Sequence, residues 1–112
     1  MNFVEQKKGE VFIIGINLAR ATLQEAEAFK LLLFNALERG ERKIIVDFSQ
    51  CEFVDSTFLG ALVVGLKRMT QVSGDIRIVG FKPAVRAMFE LTRMHKVFDI
   101  YETVEDAIAS FV

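Results

Sequence analysis

The chain alternates between two hydrophobic rhythms. Ile44, Ile45 and Val46 follow one another with no polar residue between them, the pattern of a central parallel strand covered on both faces. Asp47 ends the run. From Leu59 the period changes, and Leu59, Leu62, Val63, Leu66 and Met69 recur at helical spacing. Between the two lies a short polar connection followed by Phe53-Val54-Asp55-Ser56, which puts Asp55 and Ser56 where a helix begins.

The other segments fall around that unit. Phe3 to Gln6 and Val11 to Ile16, joined by Lys7-Lys8-Gly9-Glu10, predict a hairpin whose second strand is apolar on both faces and therefore interior. Thr22 with Glu25 three residues on is a capping-box pattern. It opens a helix with Leu23, Ala26, Phe29, Leu32, Leu33, Ala36 and Leu37 as its buried stripe and Gly40 as its stop. The helix after Ser56 is expected to run out at Val72-Ser73-Gly74, with Gly74 in the left-handed conformation. Asp75 to Gly80 predicts a strand near the sheet edge. Pro83 starts a third helix, with Val85, Met88, Phe89 and Thr92 inward. Val97 to Ile100 predicts a short strand, and Thr103 with Asp106 opens a last helix buried through Val104, Ala107, Ile108 and Phe111.

The resulting order is β-β-α-β-α-β-α-β-α, and right-handed crossovers lay the later strands parallel. This predicts an α/β fold over residues 1–112: one small domain with a mixed, mostly parallel sheet, an N-terminal hairpin and about four helices. No repeat or linker divides it.

Composition narrows the function. With 112 residues, 52% of them hydrophobic, the chain can fill a core without metal or disulfide support. A net charge of -1 argues against nucleic acid as the main partner, because affinity for phosphate backbones needs an excess of Lys and Arg. The single cysteine, Cys51, predicts a reduced, intracellular setting. The N-terminal residues read as neither signal peptide nor anchor, and no apolar run approaches the roughly 18 residues of a membrane span. A cytoplasmic protein without membrane insertion is expected.

Candidate chemistry centres on the helix that Ser56 begins. A helix N-terminus offers unpartnered N–H groups and a partial positive charge, so it suits an anion. Asp55 can be read as a plain helix cap with Ser56 and Thr57 as first-turn residues, or Ser56 as a phosphoacceptor. Nothing brings His95, the one imidazole, to Ser56, so no nucleophilic triad is predicted. Gly-rich phosphate loops and Cys-x-x-Cys pairs are absent, and no cofactor or metal site is expected. An acid–base or Mg role for Asp47 and Asp55 lacks an evident third ligand. Phe58, Ala61 and Gly65 lie along the border of the buried stripe of that helix, with Val64 further out. Phe58 is open to two readings, an interface anchor or packing under the preceding loop. Lys67, Arg68, Lys82, Arg86, Arg93 and Lys96 read as solvated faces.

A strand ending in Asp, a short loop, then Phe53-Val54-Asp55-Ser56-Thr57-Phe58-Leu59-Gly60-Ala61-Leu62 resembles the signature of the STAS domain, the sulphate-transporter and anti-sigma-factor-antagonist family. The resemblance implies a non-enzymatic regulator in which Ser56 is phosphorylated by a partner kinase. Asp47, Asp55, Thr57, Phe58 and Ala61 would make the partner surface. In the family the unphosphorylated form binds an anti-sigma factor, often itself a serine kinase of the histidine-kinase-like ATPase fold, and so frees the sigma factor; a phosphatase is a further candidate partner. ATP and Mg would come with the kinase.

The chain departs from the family pattern at three places. Ser or Ala and then Gly are usual where Thr57 and Phe58 stand. The acidic residue that faces the phosphorylation loop is replaced by Ala19 with Arg20 beside it, and no Asp or Glu lies between Ile16 and Gln24. These departures keep alive a second expectation, a constitutive STAS subunit of a larger signalling or lipid-transport assembly.

Overall fold

The computed structural model describes residues 1–111. In chain order its elements are β1 (Phe3–Lys8), β2 (Val11–Ile16), β3 (Arg20–Ala21), α1 (Leu23–Glu38), β4 (Lys43–Asp47) and β5 (Phe53–Val54). There follow α2 (Ser56–Gln71), β6 (Asp75–Val79), α3 (Pro83–Leu91), a 3-10 turn at Met94–Lys96, β7 (Asp99–Tyr101) and α4 (Val104–Ser110). Five strands form one sheet in the order β1-β2-β4-β6-β7, antiparallel between β1 and β2 and parallel elsewhere. The expected α/β fold is therefore the observed one, with four α-helices and the N-terminal hairpin.

β4 is central because its three β-branched residues serve two cores. Ile44 and Val46 join Phe12, Ile14, Ile16, Ile76 and Ile78 under α1, α2 and α3. Ile45 turns to the opposite face, where Val11, Ile13 and Val79 pack with Ala107 of α4. Full burial of one such side chain contributes about 1.5–3 kcal/mol, so no polar residue fits anywhere in that run.

Local signals explain most boundaries. Thr22 caps α1, and its own N–H donates to Glu25 Oε1 at 2.9 Å, which completes the capping box. Gly40 follows the helix at φ +94, a conformation that favours glycine. At the far end of α2 the Gly74 N–H reaches the Met69 carbonyl at 2.9 Å and the Ser73 N–H reaches Thr70 at 3.2 Å, the double bond of a Schellman end.

Four expectations need correction. Ser73, not Gly74, takes the left-handed conformation, at φ 64. Gly74 is needed for space instead, since a Cβ there would lie 2.4 Å from Met69 Sδ and 2.9 Å from the Arg42 carbonyl. Leu23 does not belong to the buried stripe of α1; as the first residue of the helix its side chain is 66% exposed. The last strand begins two residues later than expected, and the 3-10 turn before it leaves Val97 exposed. Arg20–Ala21 and Phe53–Val54, for which no strand was expected, form a second parallel sheet of two residues per strand.

Candidate functional site

The residues singled out in the sequence lie on the loops after β2 and β4 and on the first turns of α2. Asp47 closes β4 with an Asx-type turn, its Oδ1 accepting from the Ser49 N–H at 2.9 Å. The chain then dips inward at Cys51, which is buried; burial pushes its thiol pKa up from the ordinary value.

Next comes the seam between the two loops. The Ala19 carbonyl accepts from Glu52 N–H at 2.8 Å and Phe53 N–H at 3.1 Å, and the Ala21 carbonyl accepts from Asp55 N–H at 3.2 Å. Arg20 lies over the Phe53 ring at 4.4 Å. The connection that carries Ala19 is thus laced directly to the segment before Ser56. This seam presents a methyl group and a guanidinium rather than a carboxylate.

Asp55 caps α2, its Oδ1 accepting from the Phe58 N–H at 2.8 Å. Its other oxygen accepts from the Leu23 N–H at 2.9 Å, so one carboxylate holds the first turns of both α1 and α2. The sequence offered no sign of this second bond: Leu23 is 32 residues away, and Thr22 already fills the cap of α1. Ser56 is the first residue of α2 and is exposed, as is Thr57. Among the described residues neither of their N–H groups has a protein acceptor. The tip of α2 therefore carries two free N–H groups and an exposed hydroxyl beside the Asp55 carboxylate.

Phe58 and Ala61 point elsewhere. The Phe58 ring is completely buried, stacked on Phe29 of α1 at 4.6 Å between centroids and 6.5 Å from Phe3. Of its two readings, packing is the one observed, although against α1 and β1 rather than under the preceding loop. With no exposed surface, the ring is not presented to a partner in this structure. The row Phe58, Ala61 and Gly65 faces α1, and a Cβ on Gly65 would come within 2.5 Å of Leu33 Cδ1. Ala61 is 8% exposed, at the floor of a shallow depression with Ala26, Glu27, Lys30, Thr57, Gly60 and Val64.

Asp47 opens onto a different depression, lined by Val4, Gly15, Ile16, Asn17, Ser49 and Gln50. So the structure brings Asp55, Ser56, Thr57 and Ala61 together and leaves Asp47 apart. Gly80, at φ +82, passes so close to it that a Cβ there would lie 2.8 Å from Asp47 Oδ1. His95 is exposed beyond α3, with Nδ1 3.3 Å from the Phe89 carbonyl. Among the described residues no three His, Cys, Asp or Glu side chains converge as metal ligands, and no helix is long and apolar enough to cross a membrane.

The STAS domain family model matches residues 7–107, which spans the hairpin, this site and α4. The chain belongs to the STAS domain family. A candidate anti-sigma factor antagonist of Bordetella bronchiseptica, BtrV, is 29% identical over 96 residues, covering 86% of this chain and 78% of that protein. The crystal structure of a candidate anti-sigma factor antagonist from Thermotoga maritima superposes with a TM-score of 0.89 at 27% identity, covering 96% of this chain and 92% of that one. SpoIIAA of Bacillus in its phosphorylated form shares the fold, with a TM-score of 0.74 at 20% identity over 98% of this chain and 99% of that one. The chain is thus a STAS domain of the anti-sigma factor antagonist type.

Proposed function

We propose that this STAS domain acts in the cytoplasm as an anti-sigma factor antagonist whose docking is switched off by phosphorylation of Ser56. Its partner would be an anti-sigma factor that is also a serine kinase of the histidine-kinase-like ATPase fold, bringing its own ATP and Mg, with a phosphatase to reset the switch. The observation that carries this reading is the exposed Ser56 hydroxyl on the first residue of α2, beside Asp55. A hydroxyl so placed is within reach of another molecule's active site, and the fold need not open to present it.

The switch needs no catalysis from this chain. A phosphate adds about -1.5 to -2 charges. The α2 N-terminus would favour the phosphate by roughly 0.3–2 kcal/mol, enough to keep it ordered but too little to reshape the domain. Like charges pressed together at an interface cost several kcal/mol, and each step of about 1.4 kcal/mol is tenfold in affinity. Ser56, Thr57, Asp55 and the rim of the Ala61 depression form the docking patch in this reading. Phe58 supports it from below.

Incubation with the kinase encoded nearest its gene, followed by phosphosite mapping, tests the assignment. Modification at Ser56 supports it, and modification elsewhere, or none, overturns it. The Ala19 seam favours a second reading, a constitutive assembly subunit, because it lacks the family's acid. Equal partner affinity of Ser56→Asp and Ser56→Ala would select that one.

A further inference from the structure

Both oxygens of the Asp55 carboxylate are engaged at helix starts, Oδ1 by the Phe58 N–H at 2.8 Å and Oδ2 by the Leu23 N–H at 2.9 Å. The first bond is local to α2. The second ties the first residue of α1 to α2 and lies exposed at the surface. Leu23 itself carries a 66% exposed apolar side chain. We infer that Asp55 is a positioning residue that couples Ser56 to the start of α1, so that a phosphate on Ser56 loosens the Asp55–Leu23 bond and is read at Leu23 as well. This rests on Ser56 being the acceptor.

Charge and geometry decide which bond yields. A phosphate on the residue next to Asp55 repels the carboxylate and draws on the free N–H groups at the tip of α2. The Phe58 bond is partly buried and spans three residues of one helix, so it is the better protected. The Leu23 bond joins two elements and stands at the surface, where its N–H can be released to water at small cost. The capping box does not replace it, because Thr22 Oγ1 accepts from Gln24 and Glu25 Oε1 accepts from Thr22. Once released, the first turn of α1 frays and the exposed Leu23 side chain changes place. A partner that touches both helix tips would then meet a changed apolar contact in addition to the new charge.

The test uses the full chain with phosphoserine installed at position 56 during translation, which requires no kinase, and amide exchange measured residue by residue by NMR. The Leu23 amide is expected to exchange about tenfold faster in the phosphorylated protein, the size set by losing one charge-assisted hydrogen bond. Amides of β4 should stay unchanged. Asp55→Asn offers a single acceptor oxygen for two N–H groups, so Leu23 should exchange fast whether or not phosphate is present. Should that variant fail to fold, Asp55→Ser retains a cap for α2 while being too short to reach Leu23, and the same loss of phosphate dependence is expected. Leu23 exchange within twofold of the unmodified protein, or a phosphate effect that survives in Asp55→Ser, would overturn the coupling. Partner binding is not read in this experiment, so a negative result leaves the proposed function to its own test.

Discussion

Phe58→Ala separates packing from docking on the acceptor helix. The substitution removes a ring with no exposure, stacked on Phe29 at 4.6 Å with planes 19° apart. Phe→Ala in a core costs about 3–5 kcal/mol, the sum of lost transfer energy and the cavity left behind. The α1–α2 crossing has little freedom to collapse, since Gly65 already brings Leu33 against the α2 backbone, so the upper half of that range is expected. A domain of this size is stable by about 5–15 kcal/mol, and the variant should therefore still fold at low temperature. With a urea slope of about 1–3 kcal/mol per molar, its midpoint should fall by roughly 2 M. Replacing Phe29 and Phe58 by Leu, singly and together, should give a coupling of about 0.5–1.5 kcal/mol for the stacked pair. A loss below about 1 kcal/mol for Phe58→Ala would show that the ring is not part of the core. A folded Phe58→Ala that lost partner binding would restore the anchor reading.

Three further perturbations follow from backbone and burial. Gly80→Ala places a Cβ 2.8 Å from Asp47 Oδ1 and from the Ser49 nitrogen at a residue with φ +82, and should lose about 2 kcal/mol or more in urea denaturation. Ser73→Gly relieves a left-handed non-glycine residue at φ 64; less the entropy of the added freedom, it should gain about 0.5–1 kcal/mol and raise the Tm by a few degrees. Burial keeps the Cys51 thiol protonated in the folded chain above the pH at which the unfolded chain loses that proton. Its contribution to stability is therefore complete below the ordinary thiol pKa of about 8.5 and is lost as pH rises beyond it, so the stability difference between the wild-type protein and Cys51→Ala should change in favour of the variant between about pH 8 and 10.

What the sequence revealed and what it hid divide along one physical line. The β4–α2 unit, the Thr22–Glu25 box and the Gly40 stop were legible because each rests on residues within a few positions of one another. Parallel pairing of the later strands followed from the alternation of strand and helix. The two-residue β3–β5 sheet was not legible, since strands that short have no periodicity and exist only because the Ala19 and Ala21 carbonyls meet the Glu52–Asp55 segment. Gly74 misled for a related reason: glycine next to a helix end suggests a left-handed residue, but its absent side chain serves Met69 and Arg42, contacts set by tertiary packing. At the candidate site the position of Ser56 followed from local capping rules. The inward turn of Phe58 and the second bond of Asp55 depend on how α1 lies across α2, which no local pattern encodes.

The most direct measurement of the central claim is the affinity of the unmodified chain and of the chain bearing phosphoserine at position 56 for the same anti-sigma kinase, measured side by side by calorimetry. A charge added at the tip of α2 should weaken binding about a hundredfold or more while the far-UV spectrum and Tm stay nearly the same. Affinities equal within about twofold would contradict the switch.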